Sequence, residues 1–324
     1  MNSRTLPVAI LLAISAVPLC CQPGQVGGPV IGFLFDPSVR ALRPILGIPG
    51  ASTLGGPLDA GYELRWATVA PRQDSAIAAA SDGSVHLLRL GSGAAETRCG
   101  ACPSTADAAI FSPSGAAVAL YAAGRVQILT GLPDAPAAGA SFEVGSQPRP
   151  ARGRALAPPM ALSDDGAWLL ASARDSVTLF GANGGPRRLL ATGPYALVAF
   201  VAGSHDAAIA DVRGAALALF RDVAGASVQQ PVATPGDLRY ARALAFSADG
   251  GRLLVASAAE QSVAVIDLAS GTRTVAACDC APSGLTAMGK VVRLNEPGNG
   301  PLWLLDTEGA AGPRVVFVPA ARQE

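Results

Sequence analysis

The 324 residues are half hydrophobic but only 5% aromatic and 15% charged, and they include 37 Gly and 26 Pro, so the core must be assembled from Ala, Val, Leu and Ile between many turns. The 24 basic and 24 acidic side chains balance to a formal charge of +0, which leaves no basic footprint for nucleic acid or for an anionic membrane surface. With only two histidines, His86 and His205, most histidine-based chemistry is excluded by count.

In chain order, the first element is an apolar run from Val8 to Ile14 behind the single basic residue Arg4, followed by small Ser15 and Ala16 and then by Pro and Gly. This pattern predicts a secretory signal peptide over 1–21, with 22–29 as a short linker. The run is shorter than the roughly twenty apolar residues of a membrane span, so the mature chain is expected to be soluble and exported, periplasmic or extracellular. A lipid anchor on Cys20 or Cys21 is the lesser reading, because Pro18 and Leu19 fit a lipoprotein cleavage site poorly.

Residues 30–48 read as a hairpin with the look of a blade's outer strands; an isolated hairpin is marginal in water, so it must join a larger sheet system, as part of a further blade or as an addition to the last one. From Ala70 onward, short apolar runs alternate with Gly-, Asp- and Ser-containing turns, and the first such unit carries an Asp82-Gly83 hairpin turn. His86 in that unit sits among apolar residues on a strand, where a satisfied or surface-facing sheet residue is expected and not a base. Similar units start at Phe111, Leu162 and Phe200. The Leu162 unit contains Ser163-Asp164-Asp165-Gly166-Ala167-Trp168, which resembles the Asp-box of sialidase-type propellers, but its tryptophan is too close to the serine, so an ordinary blade turn is expected. Asp164 and Asp165 would hold a cation only weakly, since the oxygen spacing of a calcium loop is absent. In the Phe200 unit, His205 adjoins Asp206 in a turn, read as a solvated loop pair in preference to an acid/base dyad. Neither histidine has a serine-elbow partner in the sequence.

The clearest unit is Ala245 to Val275, with turns SADGG, SAAEQS and LASGT between apolar strands; a final unit repeats the theme as WLLDTEG. A recurrence of about 40 residues with four strands per unit is a propeller pattern. The Ala245–Val275 unit is similar to a repeat of the bacterial YVTN/NHL-type β-propellers, which resemble WD40 propellers in architecture and whose units carry an SPDG-like turn and a strand ending in IDL. The resemblance implies a fold and no particular activity, because such propellers serve as enzymes, scaffolds and ligand binders. The expectation is an all-β chain, a single propeller domain over 30–324 with six or seven four-stranded blades, seven favoured, whose innermost strands include Ala243–Ser247 and Ala108–Ser112. A membrane β-barrel is the rival all-β form, but its strands need about nine to eleven residues, and these are shorter.

Four cysteines fall as a CxxC, Cys99 and Cys102, and a CxC, Cys278 and Cys280, each where the outermost strand of one blade leads into the innermost strand of the next. In an exported chain such pairs read as local disulfides, Cys99 to Cys102 and Cys278 to Cys280. Bridging one pair to the other would need Cα atoms within about 7 Å across non-adjacent blades. Four thiolates holding zinc is the alternative, but zinc-type pairs lie closer together in sequence; redox catalysis lacks its βαβ setting. No cofactor, metal or catalytic residue is assigned. The expected role is therefore that of a non-catalytic binding or scaffolding module of the bacterial cell envelope, recognising a protein or glycan through its loops. The alternatives are a propeller enzyme of lactonase or sugar-oxidising type, or a cysteine-loop thiol or metal module on a propeller frame.

Overall fold

The computed structural model describes residues 28–320 apart from positions 92, 98, 146–156, 183, 194–195, 233–237 and 310–311. The signal-peptide expectation, with Cys20 and Cys21, falls outside the described residues. Among those described, the chain forms seven antiparallel sheets in sequence order, over 30–54, 64–97, 108–143, 160–191, 197–231, 241–277 and 286–318. Each is a blade of a seven-bladed propeller. Blades 2 to 7 have four strands, and within each the strands lie side by side in sequence order; blade 1 has three, Val30–Asp36, Ala41–Ile48 and Ala51–Leu54. The predicted hairpin over 30–48 thus gains a third strand and becomes a blade of its own. No helix among the described residues is long and apolar enough to cross a membrane.

The composition explains the blade cross-section. A middle strand is covered on both faces by neighbouring blades, so it reads as a continuous apolar or small-residue run: Ser75–Ala80 and Leu253–Ser257 are buried throughout. Outermost strands such as Val228–Pro231 face solvent and read as polar. Seven apolar clusters, one at each interface between consecutive blades including blade 7 with blade 1, close the ring. The two predicted inner strands, Ala108–Ser112 and Ala243–Ser247, correspond to Ala108–Phe111 and Ala241–Phe246, each ending one residue earlier, and these lie first in blades 3 and 6.

The recurrent turn between first and second strands has a local cause. In blade 6, Ser247 Oγ accepts the Arg252 amide at 2.9 Å and donates to Asp249 Oδ1 at 2.5 Å, while Asp249 Oδ1 accepts the Gly251 amide at 3.0 Å. Blade 4 repeats the set with Ser163, Asp165 and the amides of Trp168 and Ala167. Gly166 and Gly250 close these turns at φ +68° and +71°, in the left-handed region where a side chain is disfavoured. Each also abuts the preceding blade, since a Cβ would lie 2.6 Å from Thr130 Cγ2 or 2.9 Å from Val201 Cγ1.

Blade 1 differs in polarity. The end of its innermost strand lies beside the beginning of blade 2's first strand, where the Leu64 amide donates to Arg40 O at 3.0 Å. Its earlier residue Phe33 lies beside Gln73, beyond the far end of that same blade 2 strand, so the two run antiparallel. Blade 1 therefore has the polarity of the second to fourth strands of the other blades. The first turn of blade 2 reaches across it to blade 7, with the Gly289 amide donating to Pro71 O at 2.8 Å.

Candidate functional site

The third strand of blade 2, Val85–Leu90, distributes its side chains by strand alternation. Val85 and Leu87 enter the apolar cluster shared with blade 3, whereas Leu88 enters the one shared with blade 1. Ser84 and His86 have the parity of Leu88 and lie on the blade 1 side. Ahead of the strand, the Asp82-Gly83 turn is held by Asp82 Oδ1, which accepts both the Ser84 amide at 2.9 Å and the Ser84 hydroxyl at 2.6 Å. Gly83 sits at φ +95°.

This turn hands the serine to the histidine. Ser84 Oγ lies 2.7 Å from His86 Nε2, and His86 Nδ1 lies 2.9 Å from Glu96 Oε1. Glu96 is on the outermost strand, Ala94–Thr97, directly across from Leu88 and hence diagonal to His86. A carboxylate oxygen only accepts, so Nδ1 donates to Glu96, while Ser84 Oγ, whose single hydrogen goes to Asp82 Oδ1, faces Nε2 with a lone pair. The Tyr62 ring, from the crossover between blades 1 and 2, covers the imidazole with centroids 4.5 Å apart. Burial, with the Glu96 charge second, pushes the Tyr62 phenol up to about 12, so it stays a neutral O–H donor. Its oxygen is buried and has no hydrogen-bond partner among the described residues.

These groups line an open cavity of about 430 Å³, with Tyr62, Glu63, Ser81, Asp82, Ser84 and His86 on its walls. Arg40 of blade 1 braces the rim, pairing with Glu63 at 2.9 Å and donating to Ser81 Oγ at 2.8 Å. The Ser84 hydroxyl and then its amide hold the Asp82 carboxyl below its ordinary value. His86 is thus satisfied on a strand, and its partners Ser84 and Glu96 are functional candidates that reading it alone missed. The signal was present for Ser84, since two residues apart on a strand means one face.

The other sequence candidates sit elsewhere. His205 does not pair with Asp206: its Nε2 lies 2.8 Å from Asp165 Oδ2 of blade 4, while Asp206 takes Arg221 at 2.6 Å and the Asp222 amide at 2.9 Å. Burial raises the Asp165 carboxyl, but bonds from Ser163, the Ala167 amide and His205 together outweigh it and hold the group below its ordinary value. Both oxygens of Asp164 accept amides from neighbouring blades, Ser114 at 2.6 Å and Gly203 at 2.7 Å. The two carboxylates weighed as a weak cation site are therefore committed to joining blades 3, 4 and 5. Among the described residues, no group of three or more His, Cys, Asp or Glu side chains is placed to hold a metal.

The cysteines lie on the crossovers after blades 2 and 6. The structure brings Cys99 and Cys102 into disulfide contact with Cα atoms 5.3 Å apart, and Cys278 and Cys280 with Cα atoms 5.0 Å apart. A second cavity, of about 530 Å³, lies between blades 1 and 7, but its Arg43 and Asp36 pair with each other at 3.1 Å.

No family profile matches the chain, and no curated protein matches it in sequence. Solved structures do match in fold. A Lactobacillus plantarum protein is 15% identical with a TM-score of 0.57, over 89% of this chain and 98% of that one. A candidate 6-phosphogluconolactonase from Bacteroides fragilis is 16% identical with a TM-score of 0.56, over 89% and 97%. A functionally unknown protein from Desulfotomaculum acetoxidans is 13% identical with a TM-score of 0.55, over 90% and 100%. These likenesses establish the propeller class; the YVTN/NHL repeat family remains a resemblance of the Ala245–Val275 unit.

Proposed function

We propose that this chain is an exported β-propeller that acts as a binding module of the bacterial cell envelope, and that its ligand is a glycan held in the cavity beside Tyr62. One observation carries the reading: on an otherwise generic apolar scaffold, this cavity combines an aromatic ring with carboxylate and hydroxyl groups. Its volume of about 430 Å³ falls within the range of about 300–1,000 Å³ typical of small-ligand sites. Aromatic rings stack on the apolar faces of sugars, and Glu63, Asp82 and Ser81 offer acceptors to sugar hydroxyls. A protein partner would instead need roughly 800 Å² of contact surface on each side. Export is supported by the leader-like segment 1–21 and by the paired cysteines.

The test is a glycan array followed by calorimetric titration of the hit. Tyr62→Ala should abolish binding while the protein still unfolds cooperatively. Binding unchanged in both Tyr62→Ala and Asp82→Ala would overturn the site. Intact mass of the exported protein should begin near residue 22, and a mature form beginning at Met1 would overturn export.

A further inference from the structure

We propose that Asn299 is a self-modification site: its side-chain amide is lost through attack by the Gly300 nitrogen, which places a new carboxylate on the cavity between blades 1 and 7. Asn299 and Gly300 lie in the loop 294–301 that joins the second and third strands of blade 7, Val291–Arg293 and Leu302–Asp306. A glycine after asparagine leaves the attacking nitrogen unshielded, because it carries no Cβ. Gly298, Asn299 and Gly300 are all exposed, and a Cβ at either glycine would meet no atom within 4 Å. Among the described residues, neither the Asn299 side chain nor the Gly300 amide has a hydrogen-bond partner, so both are free to turn toward each other.

The fold selects this pair against others of similar sequence. At Asp82-Gly83, Asp165-Gly166 and Asp249-Gly250 the glycine amide is already donated, to Ala80 O at 2.9 Å, Ser163 O at 3.0 Å and Ser247 O at 2.8 Å. The three carboxylates are held as well, by amides and hydroxyls of their own turns. Asn295, in the same loop as Asn299, is fixed at both ends: Nδ2 donates to Pro301 O at 3.0 Å and Oδ1 accepts the Trp303 amide at 2.8 Å. Its following residue is Glu296, whose side chain shields the nitrogen. The other Asn-Gly pair begins at Asn183, which lies outside the described residues.

The reaction balances with water alone. The Gly300 nitrogen gives its proton to hydroxide and bonds to Asn299 Cγ; the Cγ–Nδ2 bond breaks, and ammonia leaves with a proton from water. Water then opens the cyclic imide at either carbonyl. Attack at Cγ gives aspartate, and attack at the main-chain carbon gives isoaspartate. The charged side chains on the cavity wall are Asp36 and Arg43, which pair at 3.1 Å. The product carboxylate joins them, so the wall changes from balanced to negative. Isoaspartate also lengthens the backbone by a methylene beside Pro301, whose carbonyl anchors Asn295.

The test is prolonged incubation of the full folded chain in heavy-oxygen water at mildly alkaline pH, followed by tryptic mapping. The peptide 294–314 carries both Asn295 and Asn299. Asn299 should convert to the acid with uptake of heavy oxygen, isoaspartate exceeding aspartate, while Asn295 stays an amide. Conversion should quicken as the pH is raised, and isoelectric focusing should show a matching acidic species. Asn299→Gln should abolish it, and Gly300→Ala should slow it by about 10-fold, since the added methyl crowds the attacking nitrogen. Asn299 left intact in the folded chain, while a synthetic peptide of residues 294–301 converts in the same buffer, would overturn the proposal without relying on any variant's folding. Equal conversion at Asn295 and Asn299 would overturn the selection by the fold.

Discussion

Gln73 Oε1 accepts the backbone amide of Phe33 at 2.6 Å, across the boundary between blades 2 and 1. The same side chain donates through Nε2 to Ala70 O at 3.0 Å in its own turn and to Ala287 O of blade 7 at 3.4 Å. Blade 1 has neither the polarity nor the strand number of its neighbours, and among the described residues no strand from the C-terminal blade is added to it. Ring closure therefore depends on the apolar cluster of Leu34, Ile45, Met288, Leu304 and Val318 together with this amide clasp. Gln73→Leu fills similar space but leaves the Phe33 amide without its acceptor, and should cost about 1–3 kcal/mol. Urea denaturation followed by tryptophan fluorescence reads this directly; a loss under a few tenths of a kcal/mol would show that the apolar cluster alone closes the ring.

Gly32 tests the same clasp from the other side. A Cβ there would lie 2.7 Å from Gln73 Oε1 and 2.8 Å from Met288 Cε, both ends of flexible side chains. Alanine can thus be accommodated, but only by moving Gln73 off Phe33. Gly32→Ala should destabilise wild type by more than it does the Gln73→Leu background, where Met288 must still give way but no Phe33 bond is left to lose. A double-mutant cycle should give a coupling of about 0.5–3 kcal/mol, and additive losses would separate the two positions.

Asp164 makes the corresponding clasp between blades 3, 4 and 5. Asp164→Ala removes the acceptor of two amides, and solvent reaches the Gly203 side, so the loss should be about 1–3 kcal/mol, at the low end of what two charged acceptors are worth. Asp164→Asn keeps one carbonyl oxygen and should recover part of it in the same denaturation assay. Equal losses in both variants would assign the effect to charge and not to the amide acceptors.

The turn carboxylates set an acid limit. At Asp249 the bonds from the Ser247 hydroxyl and the Gly251 amide lower the pKa from 3.8, and at Asp165 the bonds from Ser163, Ala167 and His205 outweigh the burial that raises it. A carboxyl whose folded pKa lies below its unfolded value contributes stability above the unfolded value, and that stability is lost as the pH falls through the folded one. Unfolding free energy should therefore drop once the pH passes below 3.8, with Ser247→Ala and Ser163→Ala reducing the slope. Denaturation midpoints measured between about pH 7 and about pH 2 check this, and slopes unchanged in the serine variants would remove these turns as its cause.

The blades were legible because their punctuation is local. Ser247, Asp249 and Gly250 each perform a task inside one turn, so the S-x-D-G run announces itself in sequence. Contacts between blades leave no such trace. His205 stands next to Asp206 in sequence but bonds Asp165, forty residues earlier, because adjacent turns of adjacent blades meet on one face. The reversed polarity of blade 1 is equally silent, since a strand's periodicity does not encode its direction. Ser84 and His86 are a middle case: alternation puts them on one face, but Glu96 joins them only through the register of the Leu88–Glu96 pair, which depends on the turn between the strands.

The cysteine crossovers differ from each other in a way their spacing does not reveal. Cys99 and Cys102 are partly exposed at the edge of the cluster between blades 2 and 3, whereas Cys278 is only 7% exposed and packs with Val263, Ala276 and Leu294 between blades 6 and 7. With sequence separations of 3 and 2, either bridge removes little unfolded-chain entropy, less than the roughly 3 kcal/mol associated with a fifteen-residue loop. Replacing Cys99 and Cys102 by serine should therefore cost little. Replacing Cys278 and Cys280 by serine should cost more, because a hydroxyl placed among aliphatic side chains adds about 1–3 kcal/mol, and replacement by alanine should recover much of that increment. Denaturation of the three double variants measures the order, and equal costs of the serine pairs at the two crossovers would show that the bridge and not the packing matters. Peptide mapping without reduction should find only the two local bridges; one joining Cys99 or Cys102 to Cys278 or Cys280, or stoichiometric zinc on the reduced protein, would replace the local-staple account with a metal or redox one.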